Sequence, residues 1–180
     1  LLARIDAPRI PETTVHGPEV GIRGDGQDCR DRLNAVLDSL SRAGGGRLHL
    51  PQGEYLLQGP LYLKSKTELR LAAGALLRFS PDPADYLPLV FTRWEGIELY
   101  NYSPLIYVVD QTDVALTGEG MIDGQAHETW ASWAERQQPA RLEARRMGAE
   151  QVPVEERRFG PGHFLRPSMI QFVRCQRVKL

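Results

Sequence analysis

An internal repeat is the feature of this sequence that most limits how the chain can fold. Residues 66–80 (KTELRLAAGALLRFS) and residues 111–125 (QTDVALTGEGMIDGQ) begin 45 residues apart and place apolar residues at matching positions. The matching residues are Leu69 and Leu71 in the first segment and Val114 and Leu116 in the second. Because alternate residues of a strand point to one face, such a repeat lets equivalent side chains stack in successive turns of a solenoid.

A third segment, residues 175–180 (CQRVKL), places Val178 and Leu180 in the same positions. It follows the second segment by 64 residues, about 20 more than the first interval. The polar stretch at residues 129–166 accounts for the difference, and we expect it to leave the solenoid as a loop excursion. The side chains of Val178 and Leu180 are then predicted to continue the inward face of the earlier segments.

One amphipathic helix precedes the strands. Residues 28–42 have helical spacing, with Asp28 as the expected N-cap and the glycines at 44–46 as the stop signal. The apolar positions are Cys29, Leu33, Val36, Leu37 and Leu40. An open solenoid end would leave strand edges and apolar side chains facing water. The helix is therefore predicted to cap the N-terminal end, with this apolar stripe buried.

The pattern favours an all-β fold, a parallel β-helix, over a β-sandwich, which many short strands with turn signals also describe. We predict one domain, divided as follows: an N-terminal extension at 1–24, a capping-helix region at 25–46, solenoid coils at 47–128, the excursion at 129–166, and a further, truncated coil at 167–180.

Composition narrows the possible partners. Hydrophobic residues make up 42% and charged residues 25% of the chain, with a formal net charge of -1. Such a balance creates no global field for nucleic acid or an anionic membrane, so neither is expected as a partner. No apolar run approaches the ~18 residues of a membrane span. The first residues, LLARIDAPRIPETT, lack the features of a signal peptide and an initiator methionine, so the start is interpreted as cropped.

Cysteine usage indicates neither a metal nor a redox site. Cys29 and Cys175 are far apart and match no metal-binding or redox spacing. Both are interpreted as buried thiols, with a disulfide as the alternative.

Several short motifs, taken in order, resemble the N-terminal part of glycoside hydrolase family 28, the polygalacturonases, especially its bacterial members. The motifs are GDGQD, AGGGRLHLPQGEYLLQGPLYLKSKTELRLAAGALLRFSPDPADY, TRWEGIELYNYSPLIY, GEGMIDGQ and LRPSMIQFVRCQRVKL. Each motif is weak alone, and their joint order over most of residues 22–180 carries the resemblance. The resemblance implies a right-handed parallel β-helix that hydrolyses the α-1,4-galacturonosyl linkages of pectin, with inversion and with no metal or cofactor.

The catalytic motifs of that family do not occur among these 180 residues. The family uses aspartates in an NTD-like or NDG-like motif and in a DD motif, supported by GHG and RIK, and the resemblance implies that these follow Leu180. No residue of this chain is therefore predicted to be catalytic. Asp110, Asp113 and Asp123 are interpreted as solvated turn carboxylates that cap backbone N–H groups.

Four residues are predicted to bind substrate. A galacturonate chain presents carboxylates and apolar sugar faces, which arginine and aromatic side chains bind well. Arg93, Trp94 and Glu95 are consecutive in TRWEG, and Arg166 lies where the chain is expected to re-enter the solenoid. Alternatively, Trp94 packs under a loop and Arg93 pairs with Glu95 or another surface acid. The alternative for Arg166 is a solvated cation at a strand entrance.

The excursion has two open interpretations. It contains Trp130 and Trp133, is broken by prolines into one or two expected short helices, and carries seven arginines against five glutamates between residues 130 and 166. A flap over a polyanionic substrate would suit that charge balance. Alternatively, the tryptophans only anchor a loop to the solenoid wall.

Three functions of different kinds follow from the sequence. The favoured one is the N-terminal portion of a polygalacturonase-like glycosidase. The others are another polysaccharide-active β-helix enzyme, such as a Ca²⁺-dependent lyase, and a non-catalytic carbohydrate-binding or structural solenoid. No cluster of oxygen ligands stands out for Ca²⁺. A secreted or periplasmic location is expected on substrate grounds.

Overall fold

The structure, a computed structural model, describes residues 6–180. The strands are β1 (Thr14–His16), β2 (Asp25–Asp28), β3 (Gly46–Leu50), β4 (Gly53–Leu57), β5 (Leu61–Tyr62), β6 (Thr67–Leu71), β7 (Ala75–Phe79), β8 (Val90–Trp94), β9 (Ile97–Asn101), β10 (Ile106–Val109), β11 (Thr112–Gly118), β12 (Met121–Asp123), β13 (Arg158–Phe159), β14 (Ile170–Val173) and β15 (Gln176–Lys179). The α-helices are α1 (Arg30–Arg42), α2 (Trp130–Arg136) and α3 (Gln138–Ala149), and short 3-10 helices cover Gly17–Val20, Pro83–Tyr86 and Val154–Glu156.

The strands wind into a parallel β-helix with three sheets. The sheet orders are β1-β3-β6-β11-β15, β2-β4-β7-β12 and β5-β10-β14, and neighbouring strands within each are parallel. The three turns that begin with β3, β6 and β11 each add one strand to each sheet. The predicted all-β parallel solenoid is confirmed, and the β-sandwich alternative, which requires antiparallel sheets, is wrong.

The repeated segments lie side by side, but in a register that differs from the sequence match. β6 and β11 are neighbours, with Leu69 opposite Leu116 and Thr67 opposite Val114. The sequence match had equated Leu69 with Val114, so the predicted register is wrong by two residues. A shift of two keeps every side chain on the same face, which a shift of one would not. The inward orientation of Leu69, Leu71, Val114 and Leu116 is confirmed, since all four are buried.

The third repeat joins the same sheet as the first two repeats. Val178 of β15 lies opposite Val114 of β11. Leu180 is 70% exposed but lines a depression together with Leu71, Leu116 and Ile170, so its inward orientation stays a prediction.

Columns of apolar side chains form the core. Leu48 of β3 pairs with Leu69, which pairs with Leu116, so three buried leucines lie on successive rungs of one sheet. The second sheet contributes Tyr55 opposite Leu77 on neighbouring rungs. Full burial of one such side chain stabilises the fold by about 1.5–3 kcal/mol.

Helix α1 closes the N-terminal end of the β-helix. It packs against β3, β5 and β6, and Leu33, Leu37 and Leu40 are buried, while Val36 is half-buried against the same core. The predicted capping role is confirmed. The predicted N-cap is wrong by one residue, because Cys29 occupies that position. The Asp28 carboxylate still accepts a hydrogen bond from the N–H of Arg30 at 3.1 Å.

The residues before α1 take part in the sheets as well. Within the segment interpreted as an N-terminal extension, β1 pairs with β3 over three residues. Strand β2, which follows at once, pairs with β4. The described residues 6–28 therefore start the first turn of the solenoid, which α1 completes. The boundaries drawn from the sequence stay a prediction.

Two insertions leave the β-helix and meet in a fourth sheet. Strands β8 and β9 form an antiparallel hairpin between β7 and β10. The second insertion, between β12 and β14, carries α2, α3 and β13, and β13 pairs in parallel with β9. The excursion expected from the sequence thus docks on the hairpin. Within residues 6–180, no helix combines the length and apolarity needed to cross a bilayer.

Candidate functional site

The tip of the β8–β9 hairpin carries three of the four predicted binding residues. Trp94 pairs with Ile97 across a two-residue turn of Glu95 and Gly96, whose φ angles are 44° and 89°. Positive φ at both positions is what the tightest hairpin turns require. Glu–Gly is a weaker hairpin signal than Asn–Gly, and the hairpin was missed from the sequence for that reason.

Glu95 is tied to helix α3. Its Oε2 accepts a hydrogen bond from Arg145 Nη2 at 2.9 Å and lies 3.5 Å from Arg141 Nε. Exposed ion pairs of this kind contribute little stability, but they orient the carboxylate. The alternative that Arg93 pairs with Glu95 is wrong, since Arg93 Nε donates to the carbonyl oxygen of Gly96 at 3.2 Å.

Trp94 is half-buried in a small apolar cluster that joins the hairpin to the excursion. The buried members of this cluster are Leu99, Ala140, Ala144, Phe159 and Leu165. Trp94, Ile97 and Met147 pack at its edge. The tryptophan is therefore partly packed under the excursion, as the alternative interpretation held, and keeps part of its surface free.

The excursion is fixed to the β-helix by the two tryptophans of α2. Trp130 and Trp133 are buried in the main core, with their rings edge to face at 5.0 Å between centroids. Trp130 packs edge to face on Tyr86, and Trp133 packs in the same way on Tyr102 and Phe164. The tryptophans thus anchor the excursion, and its role as a flap over the substrate stays a prediction.

A cavity of about 410 Å³ lies between the hairpin tip, α2 and the starts of β10 and β14. Its walls are formed by Trp94, Glu95, Leu105, Asp123, Gly124, Ala126, Trp130, Gln137, Arg166, Pro167 and Met169. This volume lies within the range of about 300–1,000 Å³ that is usual for ligand pockets. Mostly apolar walls with a few polar groups are also usual for such pockets.

Three of the predicted binding residues meet at this cavity. Trp94 and Glu95 reach it from the hairpin, and Arg166 reaches it from the segment before β14, 71 positions away from Glu95 in the sequence. The Arg166 side chain is exposed and forms no ion pair with any other described residue. A free guanidinium on the rim of an apolar cavity is suited to bind a carboxylate.

Arg93, the fourth predicted binding residue, belongs to the same hairpin but does not line this cavity. It lines a separate depression of about 490 Å³ on the hairpin, together with Glu98, Arg145 and Arg157. Three arginines against one glutamate give this depression a positive charge. The structure does not bring Arg93 to the cavity that Trp94, Glu95 and Arg166 share.

The three aspartates considered in the sequence have different surroundings. Asp110 forms an exposed bidentate ion pair with Arg174. Asp123 lines the cavity, and its Oδ1 accepts the N–H of Gln125 at 2.8 Å, as expected for a turn carboxylate.

Asp113 departs from the expectation, because it is buried. Its carboxylate accepts two hydrogen bonds from Arg177, at 2.6 and 2.8 Å, and one from the backbone N–H of Arg9. The description of Asp113 as a solvated turn residue is therefore wrong. The hydrogen bonds from Arg177 lower the pKa of Asp113 from 3.8 to about 2, helped by the Arg9 N–H and the positive charge.

The cysteines are free thiols, so the disulfide alternative is wrong. Cys29 is buried, and burial raises the pKa of its thiol to about 12, with a smaller contribution from Asp28. A thiol with so high a pKa is unreactive at neutral pH. Cys175 is half-buried. Among residues 6–180, no three His, Cys, Asp or Glu side chains gather as a metal ion would require.

Several cavity residues were missed from the sequence. Trp130 was considered as an anchor of the excursion but not as a binding residue, and it also forms a wall of the cavity. Gln137 stands between α2 and α3 in a polar stretch, and nothing in the sequence distinguishes it from Gln138. Met169 immediately follows the Arg–Pro–Ser that begins the re-entry into the solenoid, so its place was predictable only from the position of Arg166.

The chain is similar to two solved exopolygalacturonase structures. The chain aligns with a hyperthermoactive exopolygalacturonase from Thermotoga maritima with a TM-score of 0.92 and 44% identity, over 98% of this chain and 42% of that one. A family 28 exopolygalacturonase from Yersinia enterocolitica aligns with a TM-score of 0.54 and 29% identity, over 63% of this chain and 21% of that one. No family model matches the chain.

A sequence relative agrees with these structures. Endo-xylogalacturonan hydrolase A from Aspergillus tubingensis is 30% identical over 133 residues, which are 70% of this chain and 29% of the relative. The chain thus spans less than a third of the length of this curated relative.

The three sheets define a parallel β-helix, the fold of the pectin-degrading protein with which the chain aligns. Within that class, the chain is a polygalacturonase-like polypeptide of glycoside hydrolase family 28 and corresponds to part of such a protein. The family resemblance inferred from the order of the sequence motifs is confirmed.

Proposed function

We propose that the chain is the N-terminal portion of a glycosidase that hydrolyses the α-1,4-galacturonosyl linkages of pectin with inversion. The observation that carries the proposal is the convergence of Trp94, Glu95 and Arg166 on one cavity beside the third sheet. The similarity to exopolygalacturonases over nearly the whole chain supports the same conclusion.

The cavity suits a uronate residue in two ways. Trp94, Leu105 and Met169 provide apolar surface for a sugar face, and Arg166, which has no ion pair among residues 6–180, provides a cation for its carboxylate. Charge-assisted hydrogen bonds from arginine to carboxylate are among the stronger polar contacts available to a protein.

Arg93 belongs to the same proposal as a second contact. With Arg145 and Arg157 it lines a positively charged depression on the same hairpin. A polymer that carries one carboxylate per sugar places further negative charges beyond the cavity, and this depression is suited to receive one of them.

Catalysis in this proposal belongs to aspartates that follow Leu180. Inversion requires an acid for the leaving oxygen and a base for the attacking water, held about 6.5–9.5 Å apart. The three aspartates considered from the sequence have other partners: Asp110 and Asp113 bind arginines, and Asp123 accepts a backbone N–H. Since the substrate is a polymer of the plant cell wall, we place the protein in the periplasm or outside the cell.

Binding and turnover test the proposal separately. The first experiment measures trigalacturonate binding by calorimetry for the wild type, Arg166→Ala and Arg42→Ala. Arg42 lies on α1, is exposed and does not line the cavity. Arg42→Ala therefore removes the same charge at another site. We expect about a tenfold loss for Arg166→Ala and no change for Arg42→Ala. Equal losses in the two variants would contradict a specific role of Arg166.

The second experiment measures new reducing ends from polygalacturonate for residues 1–180 and for a polypeptide that continues through the expected catalytic motifs. We expect turnover from the longer polypeptide only, without the unsaturated, ultraviolet-absorbing product that a lyase leaves. An unsaturated product would favour the lyase alternative. Turnover by residues 1–180 alone would mean that Asp110, Asp113 or Asp123 is catalytic.

A further inference from the structure

Two buried polar atoms of the cavity residues have no hydrogen-bond partner among residues 6–180. They are the indole Nε1 of Trp130 and the amide Oε1 of Gln137. Trp130 is only 6% exposed, so its N–H is well removed from bulk solvent. Leaving a buried donor or acceptor unsatisfied costs about 1–3 kcal/mol, and native proteins satisfy the great majority of such groups.

The two atoms lie on one side of the same helix. Trp130 begins α2 and Gln137 follows its last residue, seven positions later. Residues seven apart occupy the same helix face, about 10 Å apart along the axis at 1.5 Å per residue. Both residues line the cavity, so this helix face forms one of its walls.

The two atoms need complementary partners. The indole N–H only donates, and the amide oxygen only accepts. A hydroxyl group does both, whereas a carboxylate at neutral pH only accepts and cannot satisfy Gln137. The carboxylates of Asp123 and Glu95 also line the cavity, but each lies next to an arginine, Arg78 at 3.6 Å and Arg145 at 2.9 Å.

We infer that the cavity wall formed by Trp130 and Gln137 binds sugar hydroxyls. One hydroxyl accepts a hydrogen bond from Trp130 Nε1, and a hydroxyl donates one to Gln137 Oε1. The sugar carboxylate is then left for Arg166. Trp130 and Gln137 are thus specificity-determining residues for unmodified hydroxyl groups. This inference rests on the proposed function for the uronate ligand, but the hydroxyl contacts stand on the two unpartnered atoms themselves.

A chemical consequence is discrimination against acylated substrate. An acetyl group on the sugar oxygens removes the hydroxyl proton that Gln137 accepts and adds bulk at an enclosed wall. O-acetylated oligogalacturonate is therefore expected to bind more weakly than the unmodified oligomer. The same carboxylates are present in both ligands, so the contact with Arg166 is the same in both.

The experiment compares two site variants with two matched controls. Trp130→Phe and Gln137→Met remove one polar group each and keep most of the side-chain volume. Trp133→Phe and Gln138→Met make the same changes at neighbouring positions that do not line the cavity. Thermal unfolding confirms that each variant folds, and the partly exposed Gln137 is the safer of the two site positions.

Calorimetry with trigalacturonate, and with its O-acetylated form, provides the first readout. We expect Trp130→Phe and Gln137→Met each to weaken binding of trigalacturonate about fivefold to tenfold, the range that corresponds to one net hydrogen bond. The Gln138→Met control should stay within about twofold of the wild type, since it leaves the cavity unchanged. Trp133→Phe removes a ring that packs on Trp130 but keeps the Trp130 N–H, so it should weaken binding less than Trp130→Phe does. The wild type should prefer the unmodified ligand, and Gln137→Met should lose that preference.

The indole N–H resonances provide the second readout. The Trp130 signal, identified by its loss in Trp130→Phe, should move in a saturable way with ligand and should move further than the Trp133 signal. Equal behaviour of site and control variants, with binding still dependent on Arg166, would overturn this inference alone. Binding of a neutral oligosaccharide in place of trigalacturonate, with the same Trp130 shift, would uphold it and overturn the uronate function. Binding of neither would overturn both.

Discussion

At the scale of single residues, two arginine–aspartate pairs of equal geometry stand in different surroundings. Arg177 binds Asp113 and Arg174 binds Asp110, each through two hydrogen bonds of 2.6 and 2.8 Å. Each pair links one coil to the next across 64 positions. The Asp113 side chain is 6% exposed and that of Asp110 is 59% exposed. The two pairs therefore differ in burial and in the additional hydrogen bond that Asp113 accepts from the N–H of Arg9.

Replacing each aspartate by asparagine measures what burial adds. Asparagine keeps the size of the side chain and tolerates the positive φ angles of 61° and 55° at these positions. We expect Asp113→Asn to lower the free energy of unfolding by about 3 kcal/mol, because it leaves the Arg177 charge without its partner. Asp110→Asn should cost only a small fraction of this, since water solvates Arg174. Urea unfolding at neutral pH measures both, and equal losses would contradict the role of burial.

The same pair gives the protein a defined response to acid. The folded-state pKa of Asp113 is about 2, below its ordinary value of 3.8. A lowered pKa means that the unfolded chain binds the proton more readily, so the stabilisation is complete above pH 3.8 and disappears as the pH falls towards 2. The stability difference between wild type and Asp113→Asn should therefore shrink in unfolding experiments over this interval. A difference that stays constant down to pH 2 would exclude this linkage.

At the scale of structural elements, the β8–β9 hairpin and helix α3 hold the cavity wall in place. The hairpin turn carries Glu95, and α3 supplies the arginines that bind it. Both elements contain a glycine that contacts the shared depression, Gly96 in the turn and Gly148 in the helix. The two glycines differ in backbone conformation, since only Gly96 has a positive φ, of 89°.

Substituting alanine at each glycine should have opposite effects on stability. A Cβ at Gly96 meets no atom within 4 Å, so the cost of Gly96→Ala comes from the backbone alone and is about 1–2 kcal/mol. A Cβ at Gly148 makes ordinary contacts with Ile97 at 3.6–3.9 Å, and Gly148→Ala should stabilise the helix by about 0.5–1 kcal/mol. Thermal unfolding compares the two, and a stabilising Gly96→Ala would mean that this turn is not held at positive φ.

At the scale of the whole molecule, the three sheets share one continuous core. The column of Leu48, Leu69 and Leu116 runs across three coils, with Leu69 in the middle and fully buried. In a solenoid each coil is stabilised mainly by its neighbours, so a central position supports the coils on both sides.

Truncation at the centre of the column tests this dependence. Leu69→Ala should lower the free energy of unfolding by about 2–5 kcal/mol, through lost burial and the cavity that remains. Leu142→Ala, on the exposed side of α3 where the leucine is 55% exposed, should change it by less than about 0.5 kcal/mol. Chemical denaturation measures both variants. A loss below about 0.5 kcal/mol for Leu69→Ala would contradict the stacked core.

Much of the solenoid was predictable because the inward face depends on a local rule. Alternating residues of a strand point to opposite sides, so the positions of Leu69, Leu71, Val114 and Leu116 indicated a buried face before any fold was known. Helical spacing did the same for Leu33 and Leu40 of α1. The positions of Arg93, Trp94, Glu95 and Arg166 were chosen for their chemistry, and three of them do line one cavity.

The register between coils and the composition of the cavity depended on the tertiary structure. Alternation fixes the face of a side chain but not its partner on the next strand, so Leu69 lies opposite Leu116 and Val114 opposite Thr67. Arg93 and Glu95 are two residues apart and line different depressions, because Arg93 lies in β8 whereas Glu95, with a φ of 44°, is already the first residue of the tight turn. Trp130 and Gln137 reach the cavity only because the excursion folds back onto the hairpin. Contacts between segments far apart in the chain depend on how whole elements pack, and local sequence patterns do not determine that packing.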